Sequence, residues 1–203
     1  MRKMYLSAPL PFVGQKRMLA KEFMKVLEQY PDGTLFVDLF GGSGLLSHIT
    51  KSLKPHSTVI YNDFDNYRFR MKHIPQTNQL LADIREMVGN SVPRHKIIKG
   101  ELRERIFSRI EQEENSTGYV DFITLSSSIL FSMKYKLSVQ DMRKEALYNN
   151  IRKTGYPECT DYLEGLEIVS CDYKEVFNRY KDIPGVVFLV DPPYLSTDVG
   201  TYN

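Results

Sequence analysis

Residues 34–44, TLFVDLFGGSG, decide the fold of this chain of 203 residues. Strand-forming residues at 34–40 run directly into a glycine-rich turn. The segment LLSHITKSL at 45–53 has the apolar spacing of a helix, and a second strand, STVIYNDFD, is predicted at 57–65. A strand, a glycine turn, a helix and a second strand are the opening of a doubly wound α/β sheet.

The alternation of strand and helix resumes near the end of the chain. The segments LEIVSCDY at 166–173 and GVVFLVD at 185–191 are predicted strands, with a helix at 174–180 between them. A further helix with one apolar stripe is predicted at 15–30, before the first strand. These segments together predict one α/β core built on parallel strands.

The central part of the chain has a different pattern. From about residue 66 to 163 the periodicity is helical, and no buried strand is predicted. The predicted helical segments are 77–90, 97–114, 119–132 and 138–152. Roughly 100 residues are far too many for one crossover between parallel strands. We therefore predict an α/β core at 1–74 and 164–203, with a mostly helical insertion at 75–163.

The composition limits the class of protein. Hydrophobic residues make up 42% of the chain and charged residues 26%, which is enough apolar material for a globular core. The formal net charge is only +2, so binding of a polyanion requires local basic patches. Cys159 and Cys171 have neither metal-ligand spacing nor a disulfide framework. Without a signal peptide or an apolar run of membrane-spanning length, the sequence predicts a cytoplasmic protein.

Four predicted strands end in an acidic residue at, or just after, the same edge of the sheet. These residues are Asp38, Asp63, Asp172 and Asp191. Open α/β sheets bind their ligands at the carboxyl ends of the strands. Four acids on that edge therefore predict a binding site.

The glycine turn FGGSG at 40–44 is a weak signal by itself. Asp63 follows Gly44 by 19 residues, a spacing that resembles a dinucleotide-binding fingerprint and is compatible with a nicotinamide-dependent oxidoreductase. The third glycine position is Ser47, however, and two glycines suit a ligand that has no pyrophosphate. A purely structural turn before a helix is the alternative interpretation.

The stretch DPPY at 191–194 carries more chemical information. Its carboxylate and a proline carbonyl, in a loop stiffened by two prolines, can hold an exocyclic amine on a planar ring. Asp191 would accept one N–H and the Pro192 carbonyl the other, while Tyr194 would cover the ring. The alternative is a proline-rich strand exit whose acid caps the next turn.

Three motifs carry a resemblance to a known family. DPPY, DLFGGSG at 38–44 and PFVGQK at 11–16 resemble the Dam-type DNA adenine N6-methyltransferases, and the order of the motifs matches over the whole chain. The resemblance implies a Rossmann-like methyltransferase sheet, S-adenosylmethionine as cofactor, double-stranded DNA as partner and no metal. It also implies that the insertion recognises the target DNA, and that the target adenine is flipped out of the duplex.

The resemblance assigns roles to individual residues. Asp63 would bond the ribose hydroxyls of the cofactor, and Asp172 and Tyr173 would contact its adenine. Lys16 and Phe12 have alternative interpretations, as a solvated lysine at a helix start and as a core residue. The cofactor contacts implied are Phe12, Lys16, Asp38, Phe40, Gly42, Gly44, Asp63, Asp172 and Tyr173. The catalytic residues implied are Asp191, Pro192, Pro193 and Tyr194.

Two stretches of the insertion are basic. Residues 94–109 and 134–153 each contain six Lys or Arg against two acids. Such residues can bind phosphates, although a charge run on a helix is often only a solvated face. The second stretch lies between the cofactor and catalytic motifs. From it we predict DNA-backbone contacts by Lys134, Lys136, Arg143, Arg152 and Lys153.

The chain differs from the Dam-type family in two respects. FSMKYKLS at 131–138 stands where GATC-specific members have an Arg- and Tyr-rich hairpin, so no target sequence is predicted. The chain also ends nine residues after Tyr194, where family members continue with a helix and several strands. The expectation is a sheet that is incomplete on this side, with an exposed edge covered by a second copy or another partner.

Several functions remain open at this point. A truncated, inactive relative would bind cofactor or DNA without turnover, and a methyltransferase for cytosine N4 or RNA would use the same ring-bound amine chemistry. Restriction-modification, phage and regulatory roles are equally compatible with the sequence.

Overall fold

The computed structural model describes residues 3–14, 16–131 and 135–192. A short 3₁₀ turn at Arg17–Leu19 precedes the first helix. In chain order the other elements are α1 Ala20–Glu28, β1 Leu35–Asp38, α2 Leu45–Leu53, β2 Thr58–Asn62, α3 Tyr67–Lys72, α4 Ile74–Val88, β3 Ile97–Ile98, α5 Gly100–Thr117, α6 Phe122–Ile129, α7 Val139–Arg143, β4 Leu147–Tyr148, β5 Glu167–Val169, α8 Tyr173–Tyr180 and β6 Val187–Leu189. No helix among the described residues combines the length and apolar character of a membrane span.

The chain forms two compact units. The core unit comprises Met1–Met71 and Cys159–Asn203, and the insert unit comprises Lys72–Glu158. Both boundaries lie a few residues before those predicted at 75 and 164.

The core unit is built on a four-stranded sheet in the order β5-β2-β1-β6. All three neighbouring pairs are parallel, with Val37 opposite Ile60 and Phe188, and Tyr61 opposite Ile168. Parallel strands bring their carboxyl ends to one edge. The sheet confirms the predicted α/β class.

Helices cover both faces of this sheet, because successive residues of a strand point to opposite sides. Phe36 packs with Leu27 of α1 and Ile49 of α2 on one face. Val37, its neighbour in β1, packs with Val176 of α8 on the other face. The near-continuous apolar strands are typical of parallel sheets buried on both sides.

The β1–α2 turn depends on glycine at two positions. A Cβ atom on Gly41 would lie 2.3 Å from the Tyr61 ring and 2.7 Å from the Asn62 carbonyl oxygen. Gly44 precedes α2 with a φ of 71°, in the left-handed region that glycine tolerates best. The turn can therefore pass close to β2 and start the helix at once.

The insert unit is mostly helical, as its periodicity indicates, but it also contains a short antiparallel β pair. Ile98 of β3 pairs with Leu147 of β4, and both side chains are buried. The predicted helices at 97–114 and 138–152, and the prediction of no buried strand, were therefore wrong at these positions. Gly100, with a φ of 61°, starts α5 only after β3.

Candidate cofactor and catalytic site

A cavity of about 500 Å³ lies in the core unit at the carboxyl ends of β1, β2 and β6. Its walls are the segment before the 3₁₀ turn, the β1–α2 turn, the residues after β2, the start of α8 and the residues after β6. This is the edge where parallel α/β sheets bind ligands, and the volume suits a small molecule.

Asp38, the last residue of β1, is the most deeply buried acid of this cavity. Its side chain is 1% exposed, and its Oδ2 accepts the Ser47 hydroxyl at 2.7 Å. Its Oδ1 is buried without a hydrogen-bond partner among the described residues. Burial raises the pKa of Asp38 from 3.8 to about 7, although the bond from Ser47 lowers it, and the nearby Asp191 raises it further. A cationic ligand would stabilise the ionised form.

Lys16 and Asp191 form an ion pair on the wall of the cavity. The Lys16 Nζ lies 3.0 Å from Asp191 Oδ2 and also donates to the Gly14 carbonyl at 3.0 Å. Among the described residues that line the cavity, Lys16 is the one cation. The amino-terminal motif and the DPPY motif thus meet through a direct contact, with Pro192 beside them on the same wall.

Aromatic rings supply flat apolar surfaces to the cavity. Phe40 and Tyr173 lie with their ring centroids 4.8 Å apart, and the Phe12 ring lies next to Gly42 of the β1–α2 turn. Phe64, directly after Asp63, lines the cavity and is 48% exposed. Such surfaces are suited to stacking on a purine.

The segment that carries Phe12 is fixed by helix α3. The Tyr67 hydroxyl accepts the Leu10 amide at 2.9 Å, and Arg70 Nη2 donates to the Pro11 carbonyl at 2.8 Å. The rings of Phe12 and Tyr67 meet edge to face at 5.8 Å. Helix α3 therefore positions one wall of the cavity.

Most predicted cofactor residues line the cavity. They are Phe12, Lys16, Asp38, Phe40, Gly42, Asp172 and Tyr173. Asp191 and Pro192 of the predicted catalytic set line it too, whereas Pro193 and Tyr194 lie outside the described residues. Asp172 also caps α8, because its Oδ1 accepts the Lys174 amide at 2.8 Å.

Two predicted cofactor residues are not on the cavity wall. Gly44 is the N-cap of α2, and a Cβ there would lie 2.9 Å from Leu163. Asp63 is 4% exposed and accepts the backbone amides of Tyr67 at 2.6 Å and Arg68 at 3.0 Å. Its carboxylate is therefore used to begin helix α3.

The lining residues at and after the end of β2 were missed in the sequence. Asn62, Phe64 and Asp65 line the cavity around the position predicted for Asp63. The stretch NDFD at 62–65 could have indicated them, because it places two acids, Asp63 and Asp65, directly after the strand. Asn62 connects neighbouring strand ends, since its amide donates to the Leu39 and Cys171 carbonyls.

The predicted DNA contacts have different surroundings in the insert unit. Arg143 contacts Glu104 at 2.7 Å and Glu111 at 2.9 Å. Lys136 contacts Glu145 at 3.1 Å. Both cations therefore form ion pairs with glutamates of the insert unit. Contacts of Lys136 and Arg143 with phosphates stay a prediction.

The remaining predicted DNA contacts are at the surface or outside the described part. Arg152 and Lys153 are exposed, with the Arg152 guanidinium 4.4 Å from the centroid of the Tyr156 ring. Lys134 lies outside the described residues. Among the described residues, no group of three or more His, Cys, Asp or Glu could hold a metal ion.

Comparison with known proteins gave two findings. The model of the family "D12 class N6 adenine-specific DNA methyltransferase" matches residues 12–203. A protein from Haemophilus influenzae, described as "Putative methyltransferase", is 40% identical over 206 residues, which cover 100% of this chain and 69% of the relative.

Proposed function

Because the chain belongs to the D12 class of N6 adenine-specific DNA methyltransferases, we propose that it transfers a methyl group from S-adenosylmethionine to adenine N6 in double-stranded DNA. The target adenine would be flipped out of the duplex, since its amine is otherwise inside the base stack. The observation that carries this proposal is the contact between Lys16 and Asp191 on the wall of the glycine-turn cavity.

The chemistry of the cavity supports an adenosyl cofactor with a positively charged methionine end. Lys16 would attract the cofactor carboxylate by its charge, and Phe64 and Tyr173 offer surfaces for a purine. When bound, S-adenosylmethionine supplies a methyl group on a cationic sulfur. Four carboxylates line the cavity and would favour that cation: Asp38, Asp65, Asp172 and Asp191.

Asp191 and Pro192 would act on the adenine amine. In methyl transfer the nitrogen would form a bond to the methyl carbon as the bond from that carbon to the cofactor sulfur breaks. The nitrogen would develop positive charge and then lose one proton to solvent. The Asp191 carboxylate would accept one N–H and stabilise that charge, while the Pro192 carbonyl would accept the other N–H. Both acceptors also increase the nucleophilic character of the amine, whose lone pair is otherwise drawn into the ring.

Lys16 would position Asp191 for this task. Its Nζ contacts Oδ2, which leaves Oδ1 as the oxygen that can receive the amine. The Lys16 ammonium contacts both Asp191 and the Gly14 carbonyl, and it would also face the carboxylate of the cofactor.

For the insert unit we propose the DNA-recognition role implied by the family. Arg152 and Lys153 are the exposed described cations of the predicted set and are suited to phosphate contacts.

For the core unit we propose that a second copy or another polypeptide segment covers strand β6. Among the described strands, β6 pairs only with β1, and Val190 beside it is 60% exposed. We place this activity in the cytoplasm, where DNA and cofactor meet.

The proposed function is tested with methyl-labelled S-adenosylmethionine, unmethylated duplex DNA and separation of the product nucleosides. We expect label in N6-methyladenine. Label in N4-methylcytosine, or only in RNA offered as the acceptor, would contradict the assigned substrate. Absence of label with measurable cofactor binding would contradict turnover and favour the binding-only relative. Absence of both would contradict the function and the cofactor together.

A further inference from the structure

The β1–α2 turn is contacted by a segment that lies far away in the sequence. Gly42 and Ser43 of this turn line the cavity, and the Ser43 carbonyl accepts the Tyr162 hydroxyl at 3.1 Å. Leu163 packs against the same turn, since a Cβ atom on Gly44 would lie 2.9 Å from its side chain. Tyr162 and Leu163 thus contact consecutive residues of the turn.

Contacts with helix α2 hold the Tyr162 side chain in place. This side chain is fully buried, and its ring stacks on the His48 ring with the two centroids 4.7 Å apart. His48 Nε2 accepts the Tyr5 amide at 2.9 Å, so the proton of the neutral ring is on Nδ1. Nδ1 donates to the Tyr162 carbonyl at 2.7 Å. Tyr162 is therefore bonded through its backbone to α2 and through its hydroxyl to the turn.

The bond from Tyr162 fixes one peptide of the turn. Because a peptide unit is planar, a fixed Ser43 carbonyl also fixes the Gly44 amide, which donates to the Gly41 carbonyl at 2.7 Å. Burial raises the pKa of Tyr162 well above its usual value, so the hydroxyl keeps its proton and stays a donor. The orientation of this peptide therefore depends on Tyr162.

Tyr61 of β2 holds the preceding peptide of the turn. Its side chain is fully buried, and its hydroxyl donates to the Gly42 carbonyl at 2.8 Å. The same hydroxyl lies 3.0 Å from Asp63 Oδ1, so its removal would also affect the start of helix α3. Two consecutive carbonyls of the turn, those of Gly42 and Ser43, are thus each bonded to a buried tyrosine.

We propose that Tyr162 and Tyr61 are positioning residues of the cofactor site, and that they act through the backbone of the β1–α2 turn. This inference rests on the proposed use of S-adenosylmethionine. With both hydroxyls in place the cavity wall is preformed, and the cofactor does not have to order it on binding.

Loss of either hydroxyl removes the buried donor of one carbonyl in the turn. The peptide can then rotate, because the glycine beside it tolerates other backbone conformations. The cofactor fits one of these orientations, so its apparent affinity falls with the fraction of molecules that adopt it.

The test is calorimetric titration of S-adenosylhomocysteine into the wild-type chain, Tyr162→Phe and Tyr156→Phe. Tyr156→Phe is the matched control, because the buried Tyr156 hydroxyl lies 3.2 Å from the Ser128 hydroxyl in the insert unit. Each variant keeps the ring, removes one buried hydroxyl and should lower the melting temperature. Tyr162→Phe should bind the ligand about tenfold more weakly, as for one lost hydrogen bond, whereas Tyr156→Phe should stay within about twofold of the wild type.

Tyr61→Phe is the second variant and should weaken binding to a similar degree. Wild-type affinity in Tyr162→Phe, or in Tyr61→Phe where Tyr162→Phe does not fold, would overturn the inference. An equal loss of affinity in Tyr156→Phe would contradict it too, because general destabilisation would then account for the effect. Failure of the wild type to bind S-adenosylhomocysteine would instead overturn the proposed cofactor, so the two failures are distinguishable.

Discussion

The charged side chains of the cavity and those of the insert unit differ in how well their surroundings were predicted from the sequence. Asp38 and Asp191 stand at strand ends and remain on the cavity wall, as their sequence positions indicate. Arg143 and Lys136 stand in an equally suggestive basic stretch, yet each is paired with glutamates of the same unit. Backbone geometry fixes where a strand ends, whereas the partner of a long surface side chain depends on which helices pack together.

The largest effect is expected from Asp191→Ala. Removing the acceptor for the amine should lower the single-turnover rate of methyl transfer by about 10²- to 10³-fold. Binding of S-adenosylhomocysteine, measured by calorimetry, should change far less, because Asp38 and the aromatic walls remain. A variant that transfers methyl groups at the wild-type rate would show that the cavity wall does not hold the catalytic acid.

The next effect concerns the pH dependence of stability and tests the burial of Asp38. The pKa of this group is raised from 3.8 to about 7 on folding, so the folded state binds more protons between these values. The stability that the neutral carboxyl contributes is present below about pH 4 and is lost as the pH rises through about 7. Wild type should therefore lose up to about 4 kcal/mol relative to Asp38→Asn over this range.

Urea unfolding of wild type and Asp38→Asn between pH 4.5 and 8.5, a window set around about pH 7, measures this difference. Other titrating groups cancel in the comparison. Parallel curves for the two proteins would mean that Asp38 is ionised and well solvated, in conflict with its burial.

Arg143→Ala tests whether the ion pairs of the insert unit serve stability rather than DNA binding. The guanidinium contacts Glu104 and Glu111 and lies 4.5 Å from the centroid of the Phe107 ring. Its loss should reduce the free energy of unfolding by about 1 kcal/mol, as expected for a partly exposed ion pair. The affinity for duplex DNA should stay within about twofold. A large loss of DNA affinity without a stability change would contradict this expectation and show that Arg143 contacts a phosphate.

The smallest effect is expected from the double variant Arg152→Ala/Lys153→Ala. Each phosphate contact removed should reduce the slope of log K against log salt concentration by about 0.9. Fluorescence anisotropy with labelled duplex DNA at several salt concentrations measures the slope. An unchanged slope would mean that neither side chain contacts a phosphate, and Arg143→Ala provides the control within the same unit.

The sequence was sufficient for the parts of the molecule that local pattern determines. The sequence places Asp38 and Asp191 at the edge of the sheet where the cavity lies. It does so through the apolar strands, the glycines of the β1–α2 turn and the acids at strand ends. The sequence could not predict that Asp65 lines the cavity and Asp63 does not. That difference depends on which of the two carboxylates accepts the first amides of helix α3. The β3–β4 pair was also missed, since two-residue strands far apart in sequence have no periodicity to detect.

The most direct test of the cofactor site is hydrogen exchange of the chain with and without S-adenosylhomocysteine, followed by mass spectrometry of peptides. We predict slower exchange in peptides that contain 38–46 and 62–65, which form the cavity wall. Protection confined to peptides from 72–158, or none at a ligand concentration that saturates binding, would contradict the assignment of the core-unit cavity as the cofactor site.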